Sequence, residues 1–165
     1  MTLKEYNNAV TLWADDVYRF AIHCSCDEDM GKDAVQEAYT ALWEHRDSVN
    51  VEKVKSFLLT VVHNWVMSQH RHHKVHEDNA PDLIGEKVVA PDVSFDLRDA
   101  LQKASAKLPE IQRSALMLKD VEGYSCREIA EVLNISETQV SVYLFRARIT
   151  MKKQLIALGY DNNNR

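Results

Sequence analysis

The chain has 165 residues, 45% apolar and 27% charged, with four glycines and three prolines. That apolar share suffices for a packed core and excludes wholesale disorder, and the scarcity of Gly and Pro favours long helices over a many-stranded β fold. The formal net charge of -5 argues against a free-standing, non-specific nucleic-acid binder, which would carry an excess of Lys and Arg. No run approaches the roughly 18 apolar residues of a membrane span, and Met1–Tyr6 lacks the apolar stretch of a signal peptide. The expectation is a cytoplasmic protein with no membrane partner.

The charge is uneven. Residues 1–75 hold 8 basic and 11 acidic side chains, residues 76–102 hold 2 and 7, and residues 103–165 hold 10 and 7. A basic C-terminal end therefore follows an acidic middle. Periodicity also breaks within the acidic middle.

In the first segment, Leu3, Tyr6, Val10, Trp13, Val17 and Phe20 recur at steps of three and four, which predicts a helix over 3–23. Residues 24–31 are polar, close on Gly31 and read as a turn. Val35, Ala38, Tyr39, Leu42 and Trp43 predict a second helix over 32–46, with Asp33 near its start, where a carboxylate suits the helix dipole. Trp13 and Trp43 read as core anchors. Val54, Phe57, Leu58, Val61, Val62 and Trp65 share one face of a third helix over 51–74, which ends in a His-rich run. Residues 75–92 lose periodicity, carry Pro81, Gly85 and Pro91, and read as a flexible acidic linker.

The C-terminal segment begins with a helix over 94–107. Pro109 suits the first turn of the next, over 109–120, because its missing N–H costs nothing there. Gly123 marks a turn. Ser125–Glu128 then has the form of a capping box, and Ser136–Gln139 repeats it eleven residues later. Between them Ile129, Ala130, Val132 and Leu133 precede Asn134, which tolerates the left-handed backbone that ends a helix sharply. Helices over 126–133 and 137–157 follow, the second with Ile135, Val140, Leu144, Ala147 and Met151 as its apolar stripe.

Two adjacent capped helices at this spacing form a helix-turn-helix. The N-terminal residues of its second helix would enter the major groove: Ser136, Glu137, Thr138, Gln139 and Ser141, with Val142 beside them. Thr and Gln can bond base edges and Glu can accept from a cytosine amino group. Arg127, Tyr143, Arg146, Arg148 and Lys152 would meet phosphates. A helical hairpin with a charged solvent face is the plainer alternative.

The run Leu108-Pro-Glu110, Asp120 to Gly123, Glu128-Ile-Ala130, Val140 and Arg146-Ala-Arg148 resembles the fourth region of bacterial RNA polymerase sigma factors, most closely the extracytoplasmic-function group. Asp33-Ala-Val-Gln36-Glu37 with Leu42-Trp43 resembles that group's second region, and Phe57-Leu58, Thr60-Val61, Asn64 and Arg71 resemble its strand-opening segment. The resemblance implies an all-α fold of two small helical modules: 1–75, for core polymerase binding and promoter strand opening; the acidic linker 76–92, lying in the polymerase's RNA path; 93–158, the helix-turn-helix module; and a tail, 159–165.

It also implies the partners. Asp33, Gln36, Glu37, Thr40 and Glu44 would face the clamp helices of the polymerase's largest subunit. Thr60, His63, Asn64, Gln69, Arg71, His72, His73 and Lys74 would hold the non-template strand of the downstream promoter element. The second module would bind the upstream element as duplex. The protein would act as a monomer within the holoenzyme, with an anti-sigma or other tethering factor as a further partner. His63, His70, His72 and His73 stand where relatives often carry Arg or Lys, as do Ser141 and Tyr143. Promoter binding is therefore expected to depend on polymerase or another tether.

Two other classes remain open in the sequence: a helix-turn-helix repressor, which usually needs a dimer helix that is not visible here, and a protein-sequestering regulator that does not engage polymerase. Cys24 and Cys26 with the histidines are a poor match to paired zinc-ligand spacing, so no metal or cofactor is expected. Cys126 reads as a packing residue. No phosphate loop, His-Glu-x-x-His or nucleophile elbow is present, and the chain reads as a non-enzyme.

Overall fold

Thr2 starts the first helix. Its Oγ1 accepts from the N–H of Glu5 at 3.2 Å, and the Glu5 carboxylate accepts from the N–H of Thr2 at 2.7 Å, so two otherwise unpaired donors are satisfied reciprocally. The computed structural model describes residues 1–77 and 97–161. Among the described residues the only regular elements are helices: α1 (Leu3–Ser25), α2 (Glu28–Glu44), a 3-10 turn (Val51–Lys53), α3 (Val54–Glu77), α4 (Leu97–Ala106), α5 (Glu110–Asp120), α6 (Cys126–Leu133) and α7 (Glu137–Ala157).

The first three helices pack on one another. Val17, Phe20, Ala21 and Cys24 of α1, Ala34, Ala38 and Leu42 of α2, and Val54, Leu58, Leu59 and Val62 of α3 are buried in one cluster. Each large side chain among them contributes about 1.5–3 kcal/mol by leaving water. Tyr6 adds a polar tie, donating from its hydroxyl to the carbonyl of Tyr39 at 3.1 Å.

α2 begins four residues earlier than periodicity predicts. Asp27 accepts from the N–H of Met30 at 2.7 Å and is the N-cap, so the polar stretch read as a turn contains the first helical turn. Gly31 lies inside the helix. A Cβ there would approach the backbone N and Cα of Ile22 at 3.1 Å, so this glycine permits close approach of α1 and α2 and does not mark a turn. Asp33 accordingly sits in the second turn, beyond the strongest part of the helix dipole. Trp43 is 39% exposed and packs edge-on against Tyr6, with Arg46 over its face. It caps the rim of the core, and Trp13 is half-buried beneath Lys55.

In the C-terminal part, α4, α5 and α6 pack around α7. Pro109 is the N-cap of α5, which starts at Glu110. α4 is described over Leu97–Ala106; residues 94–96 of the predicted helix lie outside the described residues. The expected linker at 76–92 falls largely outside the described residues; residues 76 and 77 continue α3. The end of the tail, 162–165, also lies outside them.

The two modules are distinct in sequence but not apart in space. α5 lies on α1, and α6 lies on α3. Residues of both modules belong to one continuous cluster of buried side chains.

Candidate nucleic-acid interface

Both predicted capping boxes form. Ser125 accepts from the N–H of Glu128 at 3.2 Å and Glu128 accepts from that of Ser125 at 2.8 Å. The cap, acting first through the Ser125 backbone N–H, holds the Glu128 carboxyl below its ordinary value. Ser136 accepts from the N–H of Gln139 at 3.1 Å, and Gln139 Oε1 accepts from that of Ser136 at 2.9 Å. Asn134 has φ 53 and ψ 51, the left-handed conformation that turns the chain between α6 and α7. Ile135 donates its N–H to the carbonyl of Ala130 at 3.1 Å, closing the turn.

Val140, Leu144 and Ala147 are buried, with Ile135 and Met151 packed against the core. This fixes the rotation of α7. Its outward N-terminal face carries Ser136, Glu137, Thr138, Gln139, Ser141 and Val142, all exposed, with Arg146 a turn further on. Tyr143 is half-buried. Arg127 is exposed and lies 3.9 Å from Glu131; Arg148 reaches Asp120 at 3.2 Å. Sequence reasoning missed Phe145, which is 67% exposed on this face. Its signal is its phase: it falls one residue after Leu144, off the buried stripe.

On α2, Asp33, Gln36, Glu37, Thr40 and Glu44 are all exposed. Their spacing puts them along one side of the helix, opposite buried Ala34, Ala38 and Leu42. On α3, Asn64, Arg71, His72, His73 and Lys74 are exposed and Thr60 and Gln69 half-buried.

His63 differs. It is 4% exposed, and its Nδ1 lies 2.9 Å from Ser114 Oγ of α5. Burial lowers its pKa from 6.5 to about 4. In this arrangement His63 is a neutral inter-module contact and presents no surface to a DNA strand. His70 is also at the boundary, with Nδ1 2.6 Å from Glu110 Oε1.

The boundary contains polar groups that no sequence pattern singled out. Ser114 Oγ also lies 3.4 Å from Cys24 Sγ. Arg113, 5% exposed, donates to the Cys24 carbonyl at 3.3 Å and to Cys26 Sγ at 2.8 Å. The Glu122 side chain, 2% exposed, accepts from Arg19 at 2.9 Å and lies 3.1 Å from Lys55 Nζ. Asp16 reaches the same two cations, each at 2.8 Å. The hydrogen bond from Lys55 holds the Asp16 carboxyl below its ordinary range, against burial. Burial opposes charge on Lys55, but its bonds to Asp16 and Glu122 prevail and raise its pKa. These residues are far apart in sequence, so only the fold brings them together. Among the described residues no group of three or more His, Cys, Asp or Glu is placed to hold a metal ion, and no helix is long and apolar enough to cross a membrane.

A capped helix-turn-helix behind a three-helix module is the architecture of a known class. Residues 9–75 match the Sigma-70 region 2 family and residues 98–151 match Sigma-70 region 4. The chain is 30% identical over 145 residues to the extracytoplasmic-function RNA polymerase sigma factor SigM of Bacillus subtilis, covering 86% of this chain and 89% of that one. SigW of the same organism is 24% identical over 171 residues, covering 91% and 88%. This chain belongs to the extracytoplasmic-function group of RNA polymerase sigma factors. The fold is also that of RpoE from Bartonella quintana, solved with the anti-sigma factor NepR, at TM-score 0.75 and 24% identity over 93% of this chain and 98% of that one. CnrH, solved with the cytosolic domain of CnrY, superposes at TM-score 0.68 and 20% identity over 92% and 88%.

Proposed function

We propose that this sigma factor binds core RNA polymerase through the exposed α2 face and directs it to promoters through two DNA surfaces. The outward face of α7, from Ser136 to Arg146, binds the upstream element as duplex in the major groove. The exposed part of α3 captures the non-template strand of the downstream element. Residues 1–75 and 93–158 serve as the two modules, with 76–92 between them. The observation that carries this reading is the pairing of two complete capping boxes with a buried Val140–Leu144–Ala147 stripe. Together they present the N-terminus of α7 outward, the geometry by which a recognition helix meets base edges.

Each surface has its own chemistry. Asp33, Gln36, Glu37, Thr40 and Glu44 offer carboxylates and acceptors to a basic partner surface on the clamp helices. Asn64, Arg71 and Lys74 supply bonds and charge for an extruded strand, with Thr60, Gln69, His72 and His73 around them. Arg127, Arg146 and Arg148 meet phosphates beside Tyr143. His63 joins the strand surface only when α5 has moved off α3. An anti-sigma factor is a further partner, a reading supported by RpoE, solved with the anti-sigma factor NepR, and CnrH, solved with the cytosolic domain of CnrY.

The test is open-complex formation and run-off transcription with purified core polymerase and a promoter library. Promoter-specific transcripts are expected with the chain and none without it. A chain that neither binds core polymerase nor directs initiation would leave the repressor or sequestering reading standing.

A further inference from the structure

Gln139 performs two tasks that constrain each other. As the third residue of α7 it closes the capping box: Oε1 accepts from the Ser136 N–H at 2.9 Å and lies 3.2 Å from the Ser136 hydroxyl, which donates to it. The orientation of the amide is set by chemistry, because a backbone N–H can only donate and must face the oxygen. Gln139 is itself exposed, and among the described residues its Nε2 bonds to no protein group. The side chain therefore turns its acceptor inward and its two donors outward.

An unconstrained glutamine reads adenine with both ends of its amide, accepting from N6 and donating to N7. That mode needs the oxygen that the cap occupies. The first capping box in the chain uses Glu128 for the same job, so the cap alone does not require an amide. A carboxylate would also add favourable interaction with the helix dipole. What glutamine supplies and glutamate does not is the outward pair of N–H donors.

Resting on the promoter-binding reading above, we propose that the capping box fixes Gln139 as a donor-only reader, selecting guanine, the one base edge with two acceptors, over the single acceptors of thymine and adenine. Guanine offers N7 and O6 to the amide, whereas thymine offers O4 alone and adenine N7 alone. Glu137 and Thr138 flank it without any such restraint from the cap.

The experiment is selection of promoter DNA from a library randomised across the upstream element, by holoenzyme assembled from core polymerase and the full chain. The wild type is compared with Gln139→Glu and Gln139→Met. Gln139→Glu retains the cap acceptor and replaces the outward donors with an acceptor. At one position the preference is expected to move about tenfold from guanine toward cytosine or adenine, whose amino groups donate. Gln139→Met removes both functions and is expected to flatten the preference there while leaving other positions unchanged. Thermal unfolding of Gln139→Glu at or above the wild-type temperature would confirm that its cap is intact. Wild-type selection of adenine at the position that responds, or no position that responds to Gln139→Glu, overturns the proposal while leaving the sigma-factor reading in place. Failure of the holoenzyme to select any promoter sequence removes that reading and the proposal with it.

Discussion

Acidification should destabilise this protein through one buried imidazole. Unfolded, His63 takes up a proton near its ordinary value of 6.5; folded, burial between α3 and α5 defers uptake to about 4. Between those values the unfolded chain binds a proton that the folded chain does not. Stability from neutral His63 is therefore complete above 6.5, falls as pH drops through the window, and declines no further below about 4. The linkage relation gives a loss of about 2 kcal/mol by about pH 5 and about 3 kcal/mol in full. His23, whose pKa is also lowered, first by burial and then by Arg98 and Arg19, has the same sign. Its contribution must be removed by comparison with a variant. Urea unfolding of wild type and His63→Asn across about pH 7.5 to 4.5 does this. The variant is expected to start less stable, because it leaves space around Ser114, but to lose less on acidification. Parallel loss in both proteins would refute the argument that His63 is buried and neutral.

Gly31→Ala should destabilise the fold by about 1–3 kcal/mol, because its Cβ would press on the Ile22 backbone; chemical denaturation measures it, and an unchanged midpoint would mean α1 and α2 separate freely. Ser125→Ala should cost about 1 kcal/mol through loss of the α6 cap, read as a lowered melting temperature. Glu122→Gln leaves Arg19 and Lys55 with Asp16 alone and should cost about 1–3 kcal/mol. Faster amide exchange in α5 and α6 is expected, with α2 unaffected. Arg146→Ala should weaken upstream-element binding by holoenzyme evenly across sequences and reduce the salt-dependence slope by about one; a sequence-selective loss would assign Arg146 to a base.

Much of the helical pattern is legible locally because it is made by neighbours. The two capping boxes and Asn134 involve residues within a few positions of one another, and the α6 and α7 boundaries predicted from them match the structure. The outward α2 face follows from periodicity alone. The start of α2 was less legible: Asp27 was hidden in a polar stretch, and Gly31 signals a turn unless Ile22 is known to lie against it. Trp43 shows the limit of composition, since a large aromatic can cover a core from its rim.

By itself, then, the sequence determines most of the helical segments, how the helix-turn-helix is capped and which face of α7 is free, all consequences of contacts a few residues apart. Only the tertiary structure decides that α5 packs on α1 and α6 on α3. It alone buries His63 against Ser114 and gathers Asp16, Arg19, Lys55 and Glu122 into one cluster. The physical reason is that burial and charge pairing depend on the whole packed environment. A histidine in a row of histidines on α3 gives no sign of which one another helix will cover.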